Sequence, residues 1–168
     1  MNKSKQVRWG VIGLGWFGEV HADNLAEMPD IELTALCTRR PERLEEIAGR
    51  LGVQRKYTDY HDMLGDPEVD VVSITTHIYD HRQIAIDALR SGKHVLLEKP
   101  MAPTVADCDQ IIKAAEDAGG FFMVGHICRF DPRVVLAKEA IEQGRIGRII
   151  SMHARRNLSK AIGRMVLD

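Results

Sequence analysis

Residues 7–18 read VRWGVIGLGWFG, and no other stretch limits the fold of this chain as much. A short apolar run leads into Gly13-x-Gly15-x-x-Gly18, and a helix-like pattern follows. Buried strand, tight turn and helix start, in that order, are what a dinucleotide site requires. Gly13 permits the sharp turn, Gly15 has no side chain to hold the backbone away from a pyrophosphate, and Gly18 lets the helix pack closely on the strand. The helix start then presents free N–H groups and a partial positive charge to the phosphates. A glycine-rich turn without a ligand is the competing reading, and the strand-like run before the motif argues against it. Trp16 and Phe17 lie inside the motif; either one of them covers the pyrophosphate or they are core side chains at a helix start.

Apolar runs alternate with helical patterns along most of the chain. This predicts an α/β fold with a doubly wound, mostly parallel sheet. Strands are expected at residues 7–12, 31–38, 55–57, 70–75, 94–97 and 121–124. Helices are expected at 16–27, at 41–51 with Pro41 in the first position, and in a short piece ending at Leu64 that Thr58 caps. Further helices are expected at 79–90, after a Thr104 cap with Asp107 three residues on, and from Asp131-Pro132 to Gln143. The alternation then stops. Residues 148–156 read RIISMHARR, whose pattern suits a strand with one exposed face. The tail 157–168 carries no clear core and ends on Met165-Val166-Leu167, the apolar residues of a surface with nothing to pack on. The expected division is a dinucleotide-binding domain over 1–130, then a linking helix and the first strand of a truncated second α+β domain over 131–168.

With 168 residues, 45% hydrophobic and 28% charged, the chain reads as one globular domain with a sizeable core. A net charge of −1 gives no reason to expect nucleic acid or an anionic membrane as a partner. Cys37, Cys108 and Cys128 are widely spaced with no CxxC pair, which fits reduced thiols in the cytoplasm better than disulfides or a zinc knot. No apolar run is long enough to span a bilayer, and no signal-peptide pattern follows the basic N-terminus.

The end of the second strand bears on the cofactor. An NAD site normally places Asp or Glu about twenty residues past the glycine motif to bond the ribose hydroxyls. Here the stretch is Ala35-Leu36-Cys37-Thr38-Arg39-Arg40, without an acid. A 2′-phosphate would instead meet Thr38 and the guanidinium groups of Arg39 and Arg40, so NADP is expected in preference to NAD. In the competing reading, Arg39 stacks on adenine, Arg40 is solvated and either cofactor is accepted.

Four further stretches fall in a recognisable order: DVVSITTHIYDH (70–81), VLLEKP (95–100), VGHICRFDP (124–132) and GRIGRI (144–149). Together with the glycine motif they resemble the Gfo/Idh/MocA family of nicotinamide-dependent oxidoreductases. The resemblance covers nearly the whole chain but only the N-terminal half of a family member, and Glu98-Lys99-Pro100 is its most specific part. It implies a dehydrogenase transferring hydride between NAD(P) and a hydroxyl of a sugar, cyclitol or nucleotide sugar. It also implies a substrate pocket between two domains, and homo-oligomers built through the second domain. The acid–base histidine and aspartate of that second domain have no counterpart here, so the chain alone is expected to bind cofactor without turnover. Relatives that bind the cofactor as regulators or sensors supply the alternative function; the retained Lys99 favours the enzyme.

By the same resemblance Lys99 lines the nicotinamide and substrate site and assists proton transfer, Glu98 supports the loop or touches the nucleotide, and the Lys99–Pro100 bond is cis. Thr75, Thr76 and His77 follow a strand end, so their backbone is expected to border the cofactor. The family's Thr-Pro-Asn is here Thr75-Thr76-His77, which leaves the contact of His77 open. His81 matches a family histidine near the cofactor. His77 and His81 stand four apart, but without a third ligand a metal is not expected. His21 is expected to pack near the loop. His126 and Arg129 match positions near the substrate cleft; for His126 an ordinary buried histidine is the equal alternative.

Overall fold

The computed structural model describes residues 6–155. The strands β1 (Val7–Ile12), β2 (Ile31–Cys37), β3 (Arg55–Tyr57), β4 (Val71–Ile74), β5 (His94–Leu97) and β6 (Phe122–Val124) form one parallel sheet in the order β3-β2-β1-β4-β5-β6. Between them run α1 (Trp16–Glu27), α2 (Pro41–Leu51), α3 (Tyr60–Leu64), α4 (Ile78–Arg90) and α5 (Val105–Ala118). The chain thus winds outward from β1 in one direction, returns, and winds outward from β4 in the other.

Both faces of the sheet are covered, and neighbouring residues in a strand show it. Val11 and Leu36 join a core with Leu25 of α1 and Leu44 and Ile47 of α2. The next residues, Ile12 and Cys37, join the opposite core with Ile74, Ile84 of α4 and Ile111 of α5. The period-two alternation of a strand sends successive side chains to opposite faces. Burying each large aliphatic side chain contributes about 1.5–3 kcal/mol, so the aliphatic residues of strands such as β4, VVSI, buried at every position, are what hold the layers together.

Local signals set the helix ends. Pro41 occupies the first turn of α2, and Gly52, at φ +71, closes it with its N–H on the Ala48 carbonyl. Thr104 caps α5, its hydroxyl accepting from the Asp107 N–H at 3.1 Å. The cap of α3 is Asp59 rather than Thr58: Asp59 is extended, and its carboxylate accepts from the His61 N–H at 2.9 Å. At the amino ends of the strands the buried polar groups are paired. Lys93 Nζ donates to the carbonyls of Asp66 and Val69, both at 2.7 Å, and Arg8 bonds Asp70 at 2.6 Å.

The chain divides into a first unit ending at His126 and a second beginning at Ile127. In the second unit a short 3-10 helix (Ile127–Phe130) precedes α6 (Pro132–Glu142), capped by Asp131, whose carboxylate accepts from the Arg133 N–H at 2.9 Å. Arg133 holds the Asp131 carboxyl well below its ordinary value, at about 2. The expected strand over residues 148–156 does not form in its described part. Residues 148–155 are exposed and belong to no ladder, because no strand edge among the described residues pairs with them. The expectation for the tail 157–168 lies outside the described residues. Among the described residues no helix is long and apolar enough to cross a membrane.

Candidate cofactor and active site

The winding reverses between β1 and β4, and open α/β sheets leave their ligand crevice at the carboxyl ends of such a pair. Here that place is the glycine loop. Gly13 adopts φ +96, and Thr75, just past β4, donates its hydroxyl to the Gly13 carbonyl at 2.6 Å. A Cβ on Gly13 would meet the Thr75 carbonyl at 2.9 Å, and one on Gly18 would overlap the Gly13 carbonyl oxygen. Gly15 is different: its φ of −73 is ordinary, and nothing lies within 4 Å of where its Cβ would be. It caps α1 without a side-chain hydrogen bond. Gly13 and Gly18 are thus closed in by protein atoms, and Gly15 marks the open side of the loop.

A cavity of about 630 Å³ starts at this loop. Gly13, Gly15, Thr38, Arg39, Arg40, Thr75, Thr76 and His77 all line it. Arg40 is committed to the protein, donating from Nη2 to the Leu14 carbonyl at 2.8 Å. Arg39 extends into solvent and meets Asp80 at 3.3 Å. Thr76 Oγ1 is buried without a hydrogen-bond partner, which leaves it free to bond a polar group in the cavity. Cys37 also lines the cavity; burial pushes its thiol up to about 12, so it is a neutral wall and not a nucleophile.

Sequence reasoning missed the far wall. It comes from Asp59 and Tyr60 at the start of α3 and from Tyr79 and Asp80 in the first turn of α4. The signal was present, since both stretches follow strand carboxyl ends, the same rule that singled out Thr75, Thr76 and His77. Asp59 remains ionised, its carboxyl held low by the His61 N–H and ring.

Lys99, Glu98, His81, Trp16, Phe17 and Gly18 stand outside the lining of this cavity. Lys99 is exposed beyond the carboxyl end of β5, and the Lys99–Pro100 peptide is cis. Glu98 is buried. Its Oε2 accepts from the Lys99 N–H at 3.1 Å, and its Oε1 lies 3.3 Å from His21 Nε2 on α1. This contact joins the glycine-loop helix to the lysine loop. It also explains Gly125, another residue that sequence reasoning passed over: a Cβ there would come within 2.7 Å of Glu98 Oε1. His81 is 2% exposed, with Nδ1 at 3.0 Å from the Pro100 carbonyl and Nε2 at 3.1 Å from the Thr76 carbonyl. It ties the cavity wall to the lysine loop through main chain. Trp16 is 71% exposed and its ring lies tilted, 5.7 Å from that of Phe17, which in turn meets the His21 ring edge-on at 5.2 Å. His126 is exposed beyond β6, and Arg129 is exposed in the 3-10 helix of the second unit.

Comparison with known proteins agrees with this geometry. Residues 7–126 match the Gfo/Idh/MocA oxidoreductase family, NAD-binding Rossmann fold. Myo-inositol 2-dehydrogenase of Thermotoga maritima is 38% identical over 142 residues, which is 84% of this chain and 42% of that protein. The structure of scyllo-inositol dehydrogenase from Lactobacillus casei with bound NAD(H) and scyllo-inositol superposes with a TM-score of 0.83 at 31% identity, covering 86% of this chain and 43% of that one. The WlbA dehydrogenase from Bordetella pertussis, in complex with NADH and UDP-GlcNAcA, gives a TM-score of 0.82 at 34% identity, covering 86% and 41%. The chain spans less than half the length of these relatives. It belongs to the Gfo/Idh/MocA oxidoreductase family, and residues 7–126 are its NAD-binding Rossmann fold.

Proposed function

We propose that the chain is the cofactor-binding half of a dehydrogenase that moves hydride between NADP, in preference to NAD, and a hydroxyl group of a sugar, cyclitol or nucleotide sugar. The observation that carries this reading is the open approach at Gly15, flanked by two glycines that the protein itself fills. The inositol and nucleotide-sugar ligands of the relatives support the substrate class. Residues 1–130 are read as the dinucleotide-binding domain and 131–168 as the link to a substrate and oligomerisation domain of a cytoplasmic protein.

The residues fit a dinucleotide. The free N–H groups at the start of α1 and the bare backbone of Gly15 would hold the pyrophosphate. Thr76 Oγ1, unpartnered in the wall, would take a polar group of the nucleotide. Thr38 and Arg39 line the cavity just past β2, where no carboxylate follows the strand, and would meet a 2′-phosphate. When bound, the nicotinamide supplies the hydride acceptor or donor. Lys99 would hold the reacting hydroxyl and stabilise charge on its oxygen as the proton leaves. Glu98 orients Lys99 through the main-chain N–H, and His81 and His21 hold that loop against the cavity wall and α1. His126 and Arg129 are read as substrate contacts. The retained Lys99 favours an enzyme over a sensor.

Calorimetric titration of the chain with each oxidised cofactor tests the reading. NADP⁺ is expected to bind at least about threefold tighter than NAD⁺, as charge-assisted phosphate recognition by one exposed guanidinium allows. Tighter binding of NAD⁺ would contradict it.

A further inference from the structure

We propose that Asp80 sets how strongly the chain discriminates NADP from NAD, by holding Arg39 in an ion pair across the mouth of the cavity. The inference rests on the cofactor reading above. Arg39 Nη2 stands 3.3 Å from Asp80 Oδ2, and both residues line the cavity. Arg39 leaves the end of β2, whereas Asp80 sits in the first turn of α4, where its N–H bonds the His77 carbonyl. The pair therefore bridges two walls that are 41 residues apart in the chain.

Arg39 is the guanidinium left for a phosphate at this edge. Arg40 is turned inward to the Leu14 carbonyl, and the carboxylate of Asp59 is engaged by His61 at 2.8 Å. A 2′-phosphate on the adenosine ribose must compete with Asp80 for Arg39, and it meets the carboxylate's charge at short range. A plain 2′-hydroxyl does neither. Asp80 thus weakens the phosphorylated cofactor selectively. At 85% exposure for Arg39 the pair adds little to the stability of the fold, so removing it leaves the chain folded.

The test is the ratio of NADP⁺ to NAD⁺ affinity, measured by calorimetry on the 168-residue chain at about 50 mM and about 0.5 M salt. Asp80→Asn is expected to raise that ratio about 3- to 10-fold at low salt, with the gain shrinking at high salt as the charges are screened. Asp80→Glu is expected to restore the lower ratio. In an Arg39→Gln background the Asp80→Asn gain is expected to fall below about twofold, the coupling a double-mutant cycle isolates. A ratio unmoved by Asp80→Asn would overturn the proposal. So would a loss of NAD⁺ affinity that makes Asp80 a ribose ligand, or a full gain that persists without Arg39. These results leave the cofactor reading intact, whereas a chain that binds neither cofactor would overturn both.

Discussion

Replacing Gly18 with alanine is expected to lower the stability of the first unit by about 3 kcal/mol or more, at the upper end of overpacking effects. The added methyl group would overlap the Gly13 carbonyl oxygen and reach within 2.7 Å of Thr75 Oγ1. Neither neighbour yields easily. The Gly13 carbonyl accepts from Thr75 Oγ1 at 2.6 Å, and the Gly13 N–H donates to the Cys37 carbonyl at 2.8 Å, so the turn is pinned to both β2 and the end of β4. Relief requires α1 to lift from the sheet, which exposes Ala22 and Leu25. A thermal melt followed by circular dichroism should show the midpoint falling by about 10 °C or more. A midpoint within about 3 °C of the parent would mean that α1 does not approach the strand this closely.

Gly15→Val should do the opposite: little to the fold and nearly everything to the ligand. The backbone there, at φ −73 and ψ −173, is one that valine adopts readily, and no protein atom lies within 4 Å of the new Cβ. Loss of a tolerable cap residue at the start of α1 costs about 0.5–1 kcal/mol. The isopropyl group would occupy the approach of the pyrophosphate and hold it away from the helix N–H groups. Cofactor affinity is expected to fall about 100-fold or beyond detection, equivalent to about 2.7 kcal/mol or more, while the melting midpoint moves by only a few degrees. Unchanged affinity for both cofactors would remove the observation on which the proposed function rests. The contrast between the two variants is informative because the glycines are three residues apart and the same motif names both.

That motif was legible because its demands are local: a turn, a bare backbone and a close crossing are all written within six residues. The same holds for Pro41 and Gly52 around α2 and for the Thr104 cap of α5, where a residue's own geometry decides the boundary. What was not legible depends on residues far apart in the chain. Glu98 reads from its motif as a loop support or a nucleotide contact, and its burial shows only when His21, from α1, and Gly125, after β6, are seen beside it. His81 matches a cofactor-side position by resemblance, and its buried ring lies between two carbonyls, one of them 19 residues away in the chain. Asp80 and Asp59 joined the cavity through the turns after β4 and β3, whose placement opposite Arg39 follows from strand order and not from spacing. Residues 148–155 show the converse limit. Alternating character describes the two faces that a strand would have, but the strand itself needs an edge to pair with.

The account depends on the glycine loop and the lysine loop serving one nucleotide, joined through His21, Glu98, His81 and Thr76. The most direct measurement is a titration of the isotope-labelled chain with NADP⁺, followed by the backbone amide signals in ¹⁵N NMR. The amides of Gly13, Gly15, Thr38, Thr76 and Lys99 are predicted to shift together along one saturation curve with a single Kd. Shifts at the glycines with Lys99 unmoved, or the two loops saturating at different concentrations, would contradict it.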